Sequence, residues 1–399
     1  PAPVKNETAV SYDADGNPDL EWCLQTPFFK FYMSEEVSAM FQCLYDDRDG
    51  LWDALGGYWK KVASRFSETK SVLGYEIINE PWLGDIYNDA TLLLPKQTES
   101  RYLQPMYEHV AAMIREADDE KIIFFEGVTI DYWPSGFDRV PGGPDYASRS
   151  ALAYHIYCPL QSPTIGEELA CQAIDREYMN QRQKDAERLN TGLIMTEFGA
   201  MKDTAGDMFE LEKLMVMADE FKASWMYWQF KQYEDLTTCT PEGESMYSGE
   251  GDALSHRKLR VLSRTYPQST AGDLESFSFD STTGAFSMIY TPWRYSDVPD
   301  GTSMTSQLYF NREQHYKHGL KVKFGVVNDD GSKTAILGNA PNELGDLTAS
   351  VLEVWRCEDN RIDVIYTGNS RSKVSIEFEQ CQENTLDEMC KCQFGEDRD

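Results

Sequence analysis

Glu80 sits in the string Gly74-Tyr75-Glu76-Ile77-Ile78-Asn79-Glu80-Pro81, and Glu197 in Leu193-Ile194-Met195-Thr196-Glu197-Phe198-Gly199. Each follows a short apolar run that would bury the stem of its side chain. Two carboxyls facing each other across a cleft can divide the work of glycoside hydrolysis. One, protonated, releases the leaving oxygen; the other, ionised, attacks the sugar or activates water. Their separation sets the stereochemistry: about 5 to 5.5 Å retains anomeric configuration through a covalent intermediate, and a wider gap admits water directly. His155 and Tyr157, two residues apart, would point to one face of a strand. Trp228, in Trp225-Met226-Tyr227-Trp228, offers an indole face on which a sugar ring could stack.

These positions need strands beneath them. Apolar residues at helical spacing (Leu51, Leu55, Tyr58, Trp59, Val62, Phe66) predict a helix over 51–66. Strand and helix signals then alternate: strand 72–78, helix 102–117, strands 122–126 and 151–157, helix 167–189, strand 193–197, helix 208–221 and strand 223–230. Short apolar strands separated by amphipathic helices are the pattern of parallel β/α units. Both glutamates fall at C-terminal strand ends, the face on which a β/α barrel carries its active site. Before 51 the chain is turn-rich, with one short helix expected over 35–45. Beyond Arg264-Thr265-Tyr266-Pro267-Gln268 the segments become short and alternating (277–280, 285–290, 307–310, 320–326, 351–355, 361–366, 373–378), as in an antiparallel β-sandwich. The expected domains are residues 1–268 and 269–399.

The 399 residues are enough for two domains with sizeable cores. Lys plus Arg number 37 against 67 Asp plus Glu, a net charge of −30, so a phosphate backbone is an unsuitable partner and nucleic acid is excluded. The 9 cysteines form no C-x-x-C pair, which disfavours a metal site. Four of them (Cys357, Cys381, Cys390, Cys392) crowd the C-terminal stretch, and Asn6-Glu7-Thr8 is a glycosylation sequon; both point to an oxidising compartment, secreted or lysosomal. Cys158 and Cys171 either close the loop after the His155 strand as a disulfide or are unrelated thiols. Pro1-Ala2-Pro3-Val4-Lys5 lacks an initiator Met and an apolar leader.

Taken in order, Asn-Glu-Pro after an apolar strand, His155-x-Tyr157, Thr-Glu-Phe-Gly and a Trp-bearing last strand resemble the family 5 retaining glycoside hydrolases. The longer string from Gly74 through Pro81-Trp82-Leu83-Gly84-Asp85 is similar to the endoglycoceramidases and their glycosylceramidase and steryl-glucosidase relatives. The resemblance implies a (β/α)8 TIM barrel followed by a β-sandwich, with Glu80 as acid/base and Glu197 as nucleophile. It also implies that Asn79 binds the sugar 2-hydroxyl, Tyr157 donates to the nucleophile, His155 holds the acid or the sugar, and Trp228 floors the reacting ring. Trp82, Asp85, Asp131, Trp133, Gln229, Lys231 and Glu234 are candidates to line the cleft, and Trp133, Phe137, Phe230 and Tyr233 to line an apolar channel for ceramide.

The implied activity is cleavage of the β-glucosidic bond between the oligosaccharide and ceramide of a glycosphingolipid, at a membrane or micelle surface touched transiently. Alternatives are an exo-acting β-glucosidase on glucosylceramide or steryl glucoside, and a catalytically inactive glycan-binding protein. No cofactor and no metal are implied, because carboxylates, water and placed hydrogen bonds suffice. In the family, Asn-Glu-Pro ends the fourth strand, yet only residues 1–50 precede the helix at 51–66. The sequence is therefore read as a fragment lacking the first three strands, which could not close a barrel by itself and would expose strand edges.

Overall fold

The computed structural model describes residues 14–15, 21, 32–129, 132–157, 165–231, 244–247, 253–328, 330–336, 357–358, 360–365 and 372–381. The sequon at Asn6, the expected strand at 351–355, and Cys158, Asp131, Tyr233 and Glu234 lie outside them. By its contacts the chain divides into residues 1–202 with 223–252, and residues 203–222 with 253–399. This division precedes the boundary expected at 268 and assigns one helix from the β/α run to the second unit.

In the first unit, Ser34 caps α1 (Glu35–Tyr45) by accepting the Val37 N–H. The apolar stripe at 51–66 becomes α2 (Leu51–Phe66). Strands β1 (Gly74–Glu76), β2 (Ile122–Glu126), β3 (Ser150–Ile156), β4 (Gly192–Phe198) and β5 (Ser224–Trp225) form one sheet in sequential order. Every pairing in it is parallel. The helices between them are α3 (Gln104–Arg115), entered through a π-helical turn at Glu99–Leu103, and α4 (Ile165–Leu189).

The sheet is covered on the helix side by a core joining Tyr75, Ile77, Ile123, Phe125 and Leu152 to Ala63 of α2 and to Met106, Tyr107, Val110 and Ile114 of α3. The opposite face carries small and apolar residues, Phe124, Ala151, Ala153 and Ile194. The continuous apolar strands are thus the product of burial on both faces, as parallel pairing demands.

The second unit holds α5 (Ala205–Glu220), α6 (His256–Leu262) and two antiparallel sheets. One contains β7 (Gly272–Phe279), β8 (Phe286–Pro292), β10 (Leu320–Val327), β11 (Lys333–Ile336) and β14 (Lys373–Gln380). The other contains β6 (Tyr266–Ser269), β9 (Thr305–Tyr309), β12 (Cys357–Glu358) and β13 (Arg361–Ile365). Phe279, Phe286, Met288, Tyr290, Ile376 and Phe378 from the first meet Leu308, Ile362 and Val364 from the second in one core, which makes the pair a sandwich.

α5 is joined to this unit by a buried ion pair. The Arg264 guanidinium grips Asp219, and Asp219 also accepts the Phe279 N–H at 3.0 Å. Burial lifts Asp219 to about 6 despite that partner. Cys171 and Cys381 each take part in a disulfide, and Cys43 is free. No helix among the described residues is long and apolar enough to cross a membrane.

Candidate active site

The C-terminal ends of β1 to β4 carry the ionisable groups. After β1 the chain stays on the ladder for one residue, the Ile77 N–H donating to the Phe124 carbonyl, and then turns at Asn79-Glu80-Pro81. Glu80 takes a left-handed backbone, φ 43°. Its N–H donates to Glu126 Oε2 at 2.8 Å, at the end of β2. Such a backbone costs a residue with a side chain about 1 kcal/mol or more, so neighbours must hold it in place.

Pairing of β3 with β4 is regular up to Tyr154 and Met195, then skips Thr196 so that His155 pairs with Glu197. Paired residues of a parallel ladder share a face. Without the bulge, alternation would place Glu197 on the face of Met195, away from His155. The extra residue, Thr196, donates to Glu76 Oε1 at 3.1 Å.

His155 Nδ1 lies 2.8 Å from Glu80 Oε1, 3.5 Å from Glu197 Oε2 and 3.6 Å from Glu126 Oε1. Glu80 Oε2 accepts the Tyr32 hydroxyl at 2.8 Å, and Glu197 Oε2 accepts the Tyr157 hydroxyl at 2.8 Å. One oxygen each of Glu80 and Glu197 lie within 4.8 Å of one another.

Burial alone would lower the affinity of His155 for its proton. The hydrogen bond to Glu80 and the charges of Glu126 and Glu197 reverse this and lift it to about 9. Burial pushes Glu126 up to about 8 against the attraction of His155. Burial also raises Glu80, but the hydrogen bonds from His155 and Tyr32 outweigh it and leave this carboxyl below its ordinary value. Glu197 ends above its ordinary value, because burial exceeds the pull of His155 and Tyr157. As the side chains stand, the proton closest to Glu80 resides on His155.

The strand expected over 223–230 is shortened to Ser224–Trp225, but its continuation still tracks β4. The Met226 N–H donates to the Met195 carbonyl at 2.9 Å and the Trp228 N–H to the Phe198 carbonyl at 2.8 Å. The Ala200 N–H returns to the Trp228 carbonyl at 2.8 Å, and the Trp228–Gln229 peptide is cis. Gly199 lies between these bonds at φ 124°, where a Cβ would come within 2.5 Å of the Trp228 carbonyl oxygen. Trp228 is 37% exposed.

Of the expected residues, Glu80, His155, Tyr157 and Glu197 are brought together, linked through His155 and Glu197. Asn79 is exposed in the turn beside Glu80. Trp82 does not line a cleft: it is buried, its indole N–H donating to Ser38 Oγ at 3.0 Å, because the turn folds it back against α1. The Asp85 carboxylate is engaged in its own turn, accepting from the Asn88 main chain and side chain. Phe137 is likewise no channel wall, since it packs edge-on against Phe125 in the helix-side core. Trp133 and Phe230 are exposed aromatics, Lys231 is exposed, and Gln229 is tied to Glu244 by its main-chain N–H.

Sequence reasoning missed Glu126, Glu76 and Tyr32. Glu126 closes an apolar strand just as Glu197 does, and that same signal could have found it. Tyr32 carries no such signal, because its contact with Glu80 spans 48 residues.

Glu76, Glu126 and His155, and likewise Glu80, His155 and Glu197, offer donor atoms within 4.8 Å of one another, a spacing a divalent cation could bridge. A His155 that holds its proton up to about 9 competes against that use at neutral pH.

Residues 39–234 match the cellulase (glycosyl hydrolase family 5) family, and residues 264–344 match the glycoside hydrolase family 5 C-terminal domain. The chain is 36% identical over 326 residues to an endoglycoceramidase of Cyanea nozakii, covering 81% of this chain and 61% of that protein. It is 36% identical over 306 residues to an endoglycoceramidase of Hydra vulgaris, covering 77% and 55%. The chain thus spans less than two thirds of the length of the curated relatives it matches. Among solved structures, the endo-glycoceramidase II of Rhodococcus sp. in its ganglioside GM3 complex has TM-score 0.66 at 17% identity, covering 92% of this chain and 74% of that one. The parallel sheet is therefore a run of consecutive TIM-barrel strands followed by the sandwich, and the chain belongs to glycoside hydrolase family 5.

Proposed function

We propose that the protein carrying this chain is a retaining glycosidase that cleaves the β-glucosidic bond between the oligosaccharide and ceramide of glycosphingolipids. The observation that carries the reading is the approach of Glu80 and Glu197 to within 4.8 Å. That spacing fits direct attack by a carboxylate and leaves no room for the interposed water of an inverting enzyme, whose carboxyls stand about 6.5–9.5 Å apart.

Glu197 is the nucleophile, oriented by the Tyr157 hydroxyl, and Glu80 is the acid/base. The electrostatic order without substrate is the reverse of the working order, and His155 supplies the remedy. Its Nδ1 lies 2.8 Å from Glu80 Oε1, and the proton it carries passes to Glu80 as the leaving oxygen arrives. Glu197 attacks the anomeric carbon, the C–O bond to the aglycone breaks, and the Glu80 proton goes to the departing oxygen. Glu80 then takes a proton from the water that hydrolyses the glycosyl-enzyme. Asn79 would contact the sugar 2-hydroxyl and Trp228 the ring face.

The names of the relatives support the glycosphingolipid substrate, and the exposed aromatics Trp133 and Phe230 suit transient contact with a lipid surface. Disulfide-bonded Cys171 and Cys381 support a secreted or lysosomal setting. The test is release of intact oligosaccharide from a ganglioside and of glucose from glucosylceramide, by the protein expressed with all the sequence that flanks this chain in its gene. Oligosaccharide release lost in both Glu80→Gln and Glu197→Gln is expected. Glucose release alone would favour exo action, and release of neither would favour glycan binding without turnover.

A further inference from the structure

We propose that Glu126 is a positioning residue for Glu80, holding the main chain of the acid in its left-handed turn and keeping the imidazole of His155 directed at its carboxyl. The inference rests on the reading of Glu80 as the acid/base.

The geometry is one hydrogen bond and one close approach made by the same carboxyl. Glu126 Oε2 accepts the Glu80 N–H at 2.8 Å. Oε1 lies 3.6 Å from His155 Nδ1, the same nitrogen that stands 2.8 Å from Glu80 Oε1. Glu126 thus touches the acid directly through its main chain and indirectly through its proton partner. Its side chain is 6% exposed, and a buried carboxyl is expensive unless its oxygens have partners.

The packing alone gives no reason for an acid here, because Phe124, Ala151 and Ala153 on the same face are apolar or small. The titratable groups that face it are Glu76 from β1, Glu80 from the turn, His155 from β3 and, more remotely, the Tyr32 phenol; from α3, the Tyr107 hydroxyl donates to its main-chain carbonyl at 2.8 Å. In that setting burial keeps Glu126 protonated up to about 8. Oε2 accepts the Glu80 N–H whether or not the carboxyl is protonated.

The experiment compares two β-glycosides of one sugar, one with an alkyl alcohol as leaving group and one with 2,4-dinitrophenolate, which departs without a proton. Glu126→Ala, in the protein expressed with its flanking sequence, is expected to lower kcat/KM about 100-fold on the alkyl glycoside and less than about 5-fold on the dinitrophenyl glycoside. Glu126→Gln retains an acceptor oxygen and is expected to recover about 10-fold or more of the alkyl loss. Equal losses on the two substrates, or no loss on the alkyl glycoside, would overturn the proposal. Glu80→Gln run alongside must show the same leaving-group dependence. If it does not, the reading of Glu80 as acid fails first, and independently of Glu126.

Discussion

His155 and Glu197 lie side by side because the ladder between β3 and β4 passes over Thr196. The bulge turns the Glu197 carboxylate onto the face that Glu80 enters from the neighbouring turn. The two carboxylates should therefore leave different chemical signatures when removed. With an activated β-glycoside and azide, Glu197→Ala is expected to yield the α-glycosyl azide and Glu80→Ala the β-glycosyl azide, each from a background kcat about 10³-fold or more below wild type. Product anomers are read by NMR, and the same anomer from both variants would contradict the assigned roles.

The hydroxyl of Tyr157 donates to Glu197 at 2.8 Å and favours its ionised form. Tyr157→Phe removes that donor, so the Glu197 carboxyl should hold its proton to higher pH. The acidic limb of kcat/KM is expected to move upward and kcat to fall about 10- to 100-fold, in line with about 1.5–3 kcal/mol for a hydrogen bond to a charged group. An unmoved limb would mean that Tyr157 does not tune the nucleophile.

Stability should fall as pH rises between about 6.5 and 8, a window bounded by the two raised groups. His155 is lifted from 6.5 to about 9, and Glu126 from 4.5 to about 8. In this window the folded protein keeps protons that the unfolded chain has lost, so each unit of pH removes stability. Their contribution is complete below the unfolded values and is lost as pH climbs through the folded ones. Differential scanning calorimetry across the window should show a declining Tm for the transition of the first unit. Glu126→Gln should flatten the decline; an unchanged slope would count against the protonated carboxyl.

In the second unit, Arg264 and Asp219 are both nearly excluded from water. Asp219→Ala would leave a guanidinium buried without its counter-charge and the Phe279 N–H without its acceptor. A loss of about 3–5 kcal/mol is expected, seen as a lower denaturation midpoint. Replacing both partners with apolar residues should cost less than the single substitution, which a double-mutant cycle would measure.

The alternation of apolar strands and helices was legible in the sequence because parallel strands buried on both faces are written as unbroken apolar runs; residues 122–126 coincide with β2. Glu80, His155, Tyr157 and Glu197 were legible from local motifs. The bulge was not, since strict alternation assigns Glu197 to the face of Met195, and no residue type marks Thr196 as the extra one. Trp82 and Phe137 were misplaced because a loop position in the sequence says nothing of which core the loop folds back upon. The attachment of α5 to the sandwich unit depends on Asp219 finding Arg264 45 residues later, a pairing with no local trace.

The main chain of Trp228 is fastened on both sides of Gly199, two residues beyond Glu197. With the roles proposed for Trp228 and Glu197, indole and nucleophile would share one gauge, and the height of a stacked sugar above the attacking oxygen would be set before any loop is chosen. On the proposed function, loops around the cleft could diverge without recalibrating the reaction. Enlarging Gly199 would drive its Cβ against the Trp228 carbonyl oxygen and so displace indole and carboxylate relative to each other, whichever sugar is bound.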